Sequence, residues 1–352
     1  MGQIADINGL NLFSVLYILG VTGCFGLIIG SFLNVVILRL FSGESIVFPC
    51  SKCPKCSTPI KWYDNIPILS YILLGGKCRQ CKENISIQYP IVEGATAILF
   101  MFTVYTYGLG LKSLLLCILI SGLIIITVTD IKEKVIFDIT SIPLIPLGLL
   151  YNFFDFGMSG SGVVKIPLAG INATLSLNEA FISAIIGAII GALFFEIFSR
   201  VGLLCVGEYA FGEGDSIIGA ALGAWFGWKM IIIILILSFV VQLIVGLPII
   251  IANMYKDKDF KSIIFTGLMI VSIFIPYIGQ MTGISKSLAG ALIITLVAVV
   301  LALSGVVVVL KRTKERKSFT FIAFGPALVF GGIAVMFWGP QIASWYLQHY
   351  QH

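Results

Sequence analysis

Histidine is nearly absent from this chain of 352 residues, in which only His349 and His352 occur. A Ser-His-Asp or Cys-His nucleophile takes its base from histidine, and a His-Glu-x-x-His zinc hydrolase takes two metal ligands from it. The body of the chain offers neither. Any hydrolytic chemistry must therefore be carried out by other side chains.

Charged residues are also scarce, at 11% of the chain, whereas 59% of the residues are hydrophobic and the mean hydropathy is +1.06. One soluble core cannot bury so much apolar surface. Many apolar runs approach the roughly 20 residues that a helix needs to cross a bilayer, and the short alternating segments of a membrane barrel are missing. The composition therefore predicts an all-α polytopic membrane protein.

The hydrophobic pattern divides into ten apolar segments. The segment at 215–228 is short for a full crossing, and the last segment is interrupted by Gly325 and Pro326, so we expect about 8–10 transmembrane helices. The ten segments lie near residues 10–38, 91–107, 113–130, 139–154, 179–199, 215–228, 230–252, 263–278, 287–310 and 319–347.

One polar insertion, rich in Lys, Cys, Pro and Ser, sets the expected domain organisation. We expect a first transmembrane helix within residues 1–40, a small cytoplasmic subdomain over 41–90 and a multi-helix membrane domain over 91–352. The first apolar run is preceded by Asp6 rather than by basic residues, so we expect it to remain as a helix rather than to act as a signal peptide.

The basic residues predict the orientation in the membrane. If the N-terminus lies outside and each apolar run crosses once, all but four of the 22 Lys and Arg residues fall on one side, which should be cytoplasmic. The net charge of +5 is then accounted for by orientation, and no nucleic-acid partner is expected. The four exceptions are Lys112, Lys165, Lys229 and Lys286.

Four cysteines in the insertion form two Cys-x-x-Cys motifs separated by 21 residues, which is typical of zinc ribbons. We expect structural zinc, because four sulfur ligands leave no open position for water; disulfides or a redox pair are the alternatives. Cys50 follows the same three-residue step and is expected to be a spare thiol. The expected ligands are Cys53, Cys56, Cys78 and Cys81.

Two aspartates are the candidate catalytic residues. Asp130 ends one apolar run and Asp215 begins another at the same predicted membrane face, so their side chains can meet. One ionised and one protonated carboxyl group can serve as base and acid without histidine. The alternative for each aspartate is a helix cap or a solvated helix end.

The residues before Asp215 suggest how a substrate reaches it. Gly212 and Gly214 have no side chain, so a substrate backbone can approach closely there. Glu213 adds a second negative charge, which either raises the pKa of Asp215 or attracts a basic substrate segment.

Six motifs in this order resemble the prepilin peptidases, membrane aspartyl proteases of the Gly-x-Gly-Asp type. They span nearly the whole chain. The motifs are residues 30–36, the cysteine pairs with the Trp-Tyr-Asp-Asn-Ile-Pro run at 62–67, residues 89–93, Asp130 with residues 136–138, residues 212–215 with 222–225, and residues 324–327.

The resemblance implies an enzyme of the bacterial inner membrane. It implies cleavage, at the cytoplasmic face, of the basic leader that precedes the apolar helix of type IV prepilins or pseudopilins, with Asp130 and Asp215 as the catalytic pair. It also implies methylation of the new N-terminal amine by S-adenosylmethionine, an activity associated with the N-terminal half and its metal-binding insertion. No glycine-rich loop for that methyl donor is present.

Two other functions remain as alternatives. An ion-coupled transporter also uses intramembrane carboxylates and broken helices, although here the acids lie near one face and no inverted repeat is visible. A membrane adaptor that docks a partner through the zinc ribbon would leave the carboxylates without a role.

Overall fold

The computed structural model describes residues 11–48, 51–154, 156–157, 163–167, 174–207, 211–256 and 323–350, together with the single residues 209, 260, 264 and 267. The helices and strands within this part of the chain are α1 (Leu12–Ser42), a 3-10 turn (Trp62–Asn65), α2 (Leu69–Leu73), α3 (Gln88–Tyr107), α4 (Leu111–Glu133), α5 (Asp138–Ser141), α6 (Leu144–Phe153), β1 (Val163–Pro167), β2 (Thr174–Asn178), α7 (Glu179–Val206), α8 (Glu213–Lys256) and α9 (Gly325–Tyr350).

Six helices in the described residues are long and apolar enough to cross a membrane: α1, α3, α4, α7, α8 and α9. A helix satisfies most of its backbone hydrogen bonds internally, which the hydrocarbon layer requires. The prediction of an all-α polytopic membrane protein is thereby confirmed. The predicted segments at 263–278 and 287–310 lie outside the described residues.

One predicted segment boundary is found in the structure, and one predicted segment is divided. The segments at 215–228 and 230–252 are two helical stretches of α8 that meet at a kink, where Gly227 leaves the helical conformation (φ 78°, ψ 173°). The segment at 139–154 is divided into α5 and α6, with Pro143 at the N-cap of α6, because proline has no N–H to continue a helix from the preceding turn.

The polar segment between α6 and α7 contains a β-hairpin that the sequence did not predict. Strands β1 and β2 pair antiparallel, with Val163 opposite Asn178 and Pro167 opposite Thr174. The sequence before β1 is rich in glycine and serine, which favour a loop.

Glycines bring α1 and α3 into close contact. A Cβ atom on Gly26 would stand 2.6 Å from the Cα of Ala97, and one on Gly30 would stand 2.7 Å from the Cα of Glu93. Small residues allow such backbone approach between helices in lipid. Gly26 and Gly30 therefore allow α1 to pack directly against the backbone of α3.

A buried amide joins α6 to α8. The Asn152 Nδ2 group donates to the carbonyl oxygens of Ala224 at 2.8 Å and Trp225 at 3.1 Å, and the Trp225 indole donates to the Leu144 carbonyl at 2.7 Å. Both side chains are almost fully buried. These bonds fix the position of α8 along its axis relative to α6, and Asp215 in the first turn of α8 is positioned with it.

The chain divides into two compact units. The first comprises Met1–Ile197, Phe211–Ser238 and Ala323–His352, and the second comprises Phe198–Ala210 and Phe239–Ile322. Both candidate aspartates and all four candidate zinc ligands belong to the first unit, so their arrangement is that of one compact body.

Candidate active site

Asp130 lies in the last turn of α4 and is 5% exposed. Its Oδ2 atom accepts a hydrogen bond from the backbone N–H of Gly325 at 2.9 Å. A Cβ atom on Gly325 would collide with the same carboxylate oxygen, so a residue with a side chain cannot stand there without a shift. The start of α9 therefore holds Asp130 through a glycine.

Asp215 lies in the first turn of α8 and is 8% exposed. Its Oδ2 atom accepts a hydrogen bond from the Gly212 N–H at 3.2 Å. Its Oδ1 atom is buried and has no hydrogen-bond partner among the described residues. A buried polar atom without a partner is unfavourable, and such an atom often marks a functional group.

An aromatic cluster joins the segments that carry the two aspartates. The rings of Phe211 and Phe324 lie 5.2 Å apart, and Phe195 of α7 packs against both, at 5.2 and 5.7 Å respectively. Phe211 directly precedes Gly212, and Phe324 directly precedes Gly325. The cluster thus holds together the two segments whose N–H groups bond to the carboxylates of Asp130 and Asp215.

The two glycines of the Gly-Glu-Gly-Asp segment have different surroundings. A Cβ atom on Gly214 would stand 2.6 Å from the Cβ of Ile136, so the loop after α4 occupies that space. A Cβ atom on Gly212 would meet only an oxygen of Asp215, at an ordinary contact distance of 3.8 Å. Open space for a substrate backbone is therefore found at Gly212. The side chain of Glu213 is exposed.

The four predicted zinc ligands come together. Their Sγ atoms all lie within 4.8 Å of one another, and Cys53 and Cys81 are 3.9 Å apart. Four thiolates bound at about 2.3 Å around a tetrahedral zinc ion stand about 3.8 Å apart, so the donor set fits this metal. Cys50, the predicted spare thiol, lies outside the described residues.

The two cysteine motifs adopt the same turn. In the first, the Cys53 N–H bonds to the Thr58 carbonyl at 3.0 Å, and Ser57 has a positive φ of 56°. In the second, the Cys78 N–H bonds to the Glu83 carbonyl at 2.8 Å, and Lys82 has a φ of 58°. Each turn directs its two sulfur atoms to one side, as a zinc ribbon requires.

The thiols do not share one pKa. The side chain and backbone of Thr58 lower the pKa of Cys56 to about 6. The Glu83 backbone favours the thiolate of Cys81, but burial and the neighbouring thiols outweigh it and raise the pKa of Cys81 to about 11. Four thiolates at this distance repel one another, and a divalent cation removes that repulsion.

Two contacts hold the cysteine insertion in place, one within it and one to α3. Arg79, inside the second cysteine motif, makes a bidentate ion pair with Asp64 of the 3-10 turn at 2.7 to 3.1 Å. The Ile68 N–H donates to Oε2 of Glu93 on α3 at 2.7 Å. Glu93 is only 6% exposed, and Ile68 has a positive φ of 58°, which is strained for a β-branched residue.

The sequence did not assign Glu93 this role, because a contact across 25 residues leaves no local pattern. Its one signal was an acid within an apolar run of the Tyr-Pro-Ile-Val-Glu motif. Gly325 was noted only as a helix break, and its N–H bond to Asp130 was not foreseen.

Fold and site together define a polytopic membrane protein with a buried aspartate pair and a four-cysteine insertion. Residues 24–107 match the bacterial peptidase A24 N-terminal domain, and residues 117–247 match the type IV leader peptidase family. The second match contains both aspartates, and the first contains all four cysteines. The chain belongs to the type IV leader peptidase family.

Curated relatives bear the name prepilin leader peptidase/N-methyltransferase. The protein from Klebsiella pneumoniae is 36% identical over 210 residues, which are 58% of this chain and 83% of the relative. The protein from Neisseria gonorrhoeae is 33% identical over 63% of this chain and 79% of the relative, and that from Pseudomonas aeruginosa is 28% identical over 92% and 91%. No solved structure matches. The resemblance to the prepilin peptidases is confirmed, and nothing supports a transporter.

Proposed function

We propose that this protein cleaves the leader peptide of type IV prepilins or pseudopilins and methylates the N-terminal amine so exposed. The observation that carries the proposal is the buried pair Asp130 and Asp215, each held by a glycine N–H within the region that matches the leader peptidase family. The relatives' name carries both activities, and we assign cleavage to the region that matches the leader peptidase family and methylation to the region that matches the A24 N-terminal domain.

The aspartate pair supports hydrolysis by acid–base catalysis. One carboxylate removes a proton from water as the water oxygen attacks the scissile carbonyl, and the other, protonated, carboxyl group donates a proton to the leaving amine. The Oδ1 atom of Asp215 has no partner among the described residues, so it is free to bind the water or carry the proton. Oδ2 of Asp130 is engaged by Gly325, which fixes the orientation of that carboxyl group.

The surroundings of the pair suit a basic leader followed by an apolar helix. Glu213 is exposed two residues from Asp215, so it can attract the basic leader, and the bare backbone at Gly212 admits the extended segment to be cut. The apolar helix of the substrate stays in the bilayer beside the spanning helices. The distribution of basic residues supports a cytoplasmic position for this face and for the cysteine insertion, and an external N-terminus.

We assign a structural role to zinc bound by the four cysteines. The closed tetrathiolate set leaves no position for water, so the metal would fix the two turns of the insertion over residues 41–90, the part associated with methylation, while residues 91–352 form the protease domain. S-adenosylmethionine supplies the methyl group when bound.

The proposal is tested with the purified full chain in liposomes and a prepilin peptide that carries a basic leader. We expect a shortened product whose new N-terminus gains a methyl group when S-adenosylmethionine is present, as seen by mass spectrometry. Asp215→Asn should lower the cleavage rate at least about a hundredfold, since general acid–base catalysis contributes about 10²- to 10⁴-fold.

Glu133→Gln is the matched control, because Glu133 is an exposed carboxylate at the end of α4. It should cleave at the wild-type rate. Wild-type protein that leaves the leader intact, or Asp215→Asn protein that still removes it at full rate, would refute the proposed peptidase.

A further inference from the structure

A cavity of about 370 Å³ lies between the C-terminal half of α1 and the cysteine insertion. Its size is that of a small-molecule site. Every lining residue falls between residues 28 and 67, inside the region that matches the A24 N-terminal domain, and neither catalytic aspartate contributes to it. The cavity is therefore separate from the proposed cleavage site.

The lining combines apolar walls with a few polar groups. Phe32 and Val35 of α1 offer surface on which a planar base can lie, whereas Ser31 and Asn65 offer hydrogen-bonding groups suited to hydroxyl groups and ring nitrogens. Arg39 adds a guanidinium, which recognises a carboxylate in a bidentate manner.

Arg39 is held in place rather than free in solvent. It is 9% exposed, and its Nη1 atom donates to the Ser45 carbonyl at 2.5 Å.

The wall opposite α1 is fixed by the contacts of the cysteine insertion. Asn65 follows Asp64, which pairs with Arg79 between the zinc ligands Cys78 and Cys81. Pro67 precedes Ile68, whose N–H is held by Glu93. The second cysteine motif therefore positions Asn65 through Asp64, and α3 positions Pro67 through Ile68.

We infer that this cavity binds the methyl donor, a nucleoside that carries a sulfonium and an amino-acid carboxylate, with Arg39 on the carboxylate and the apolar wall on the base. The inference rests on the N-methyltransferase activity proposed above and assigns its donor site. The cysteine insertion then has a function: it forms and positions one wall of that site.

The transfer is balanced without a further reactant. The substrate's neutral N-terminal amine attacks the methyl carbon, a C–N bond forms as the C–S bond breaks, and that electron pair remains on sulfur to give S-adenosylhomocysteine. The methylated ammonium group then releases its proton to water.

The test measures binding apart from activity, by titrating the full chain with S-adenosylhomocysteine in a calorimeter. Val35→Trp fills the cavity and Asn65→Ala removes an amide from its wall, and each should weaken binding at least tenfold while cleavage of the prepilin peptide continues. Leu38→Trp is the control, because Leu38 is an exposed α1 residue that does not line the cavity, and it should bind like wild type.

Ultraviolet cross-linking of tritiated S-adenosylmethionine to the wild-type chain gives a second readout, and the label should map to peptides within residues 28–67. Label on other peptides, or wild-type affinity in both cavity variants, would overturn the site while leaving the proposed function intact. Displacement of a copurified phospholipid by Val35→Trp with unchanged S-adenosylhomocysteine affinity would identify the cavity as a lipid site. A wild-type chain that binds no S-adenosylhomocysteine would refute the methyltransferase itself.

Discussion

The two aspartates differ in how their oxygen atoms are occupied. Asp130 is bonded to a glycine of α9, 195 residues away, whereas Asp215 is bonded to a glycine three residues before it. Only Asp215 retains a buried oxygen without a partner among the described residues. The long-range bond positions Asp130, and the unpartnered oxygen gives Asp215 the site where water or a proton can be held.

Gly325→Ala tests this positioning. The added methyl group would collide with the Asp130 carboxylate, so we expect cleavage to fall at least tenfold while the protein still folds. Gly20→Ala is the control, because a Cβ atom there meets nothing within 4 Å. The measurement compares the initial cleavage rates of the two variants on the same peptide. Equal rates would show that the close contact between Gly325 and the Asp130 carboxylate does not serve catalysis.

The low pKa of Cys56 predicts how zinc binding depends on pH. The metal-free fold lowers the pKa of Cys56 to about 6, below the value of about 8.5 for a free cysteine, so this ligand is ready for zinc as a thiolate at neutral pH and is protonated as the pH falls through 6. We expect zinc to be retained at neutral pH and released on acidification below 6. Removing the Thr58 hydroxyl with Thr58→Val should move the release to higher pH, as a zinc-sensitive dye would report; an unchanged release curve would contradict this cause.

At the scale of elements, α8 depends on polar contacts that α6 provides. Asn152 satisfies two carbonyl groups of α8 near the end of its first half, just before the break at Gly227. In a hydrocarbon layer such carbonyl groups have no water to bond. The hydrogen bonds from Asn152 therefore stabilise the first stretch of α8, whose first turn carries Asp215.

Asn152→Ala should lower the free energy of unfolding by about 1–3 kcal/mol, because buried acceptors lose their donor. Thr106→Val is the control, since the exposed Thr106 hydroxyl bonds only to its own helix, and it should change stability by less than about 0.5 kcal/mol. Thermal unfolding in detergent compares the two. Equal melting temperatures would show that the hydrogen bonds from Asn152 to α8 contribute no stability.

The elements found from sequence were those with a strong local pattern. The long apolar runs gave the spanning helices, and the cysteine spacing gave the four thiols that the structure brings together. The pairing of Asp130 with Asp215 stays a prediction from their common membrane depth, and the structure places both carboxyl groups in buried positions. Contacts across the chain, such as those of Gly325 and Glu93, were not, because only the packed fold brings those residues to their partners.

Hydropathy located one helix boundary and missed another. The division between the segments at 215–228 and 230–252 coincides with the kink at Gly227, whereas Pro143 divides a segment that hydropathy alone made continuous. The hairpin β1–β2 was missed because its strands lie in a stretch of glycine, serine and short apolar runs with weak alternation.

At the scale of the whole molecule, the two proposed activities occupy separate parts of the chain. The aspartate pair lies in the region that matches the leader peptidase family, and the cysteine cluster and cavity lie in the N-terminal match. The ion pair of Arg79 with Asp64 connects the metal site to the cavity wall. Loss of zinc should therefore reduce methylation.

Chelation of zinc from the full chain should abolish methylation of a leader-free peptide and leave leader cleavage largely intact. Asp64→Ala should weaken methylation with zinc still bound, because the second cysteine motif no longer holds the cavity wall. The double exchange Asp64→Arg with Arg79→Asp restores the pair and should recover part of the loss. Cleavage that falls in parallel with methylation on chelation would contradict the separation of the two sites.

The central claim is that Asp130 and Asp215 work as one catalytic unit. The most direct measurement compares single-turnover cleavage by Asp130→Asn, Asp215→Asn and the double variant. Residues that act as a unit are not additive, so each single variant should lose at least about a hundredfold and the double variant should be no slower than the slower single variant. Full-rate cleavage by either single variant, or losses that multiply in the double variant, would contradict the claim.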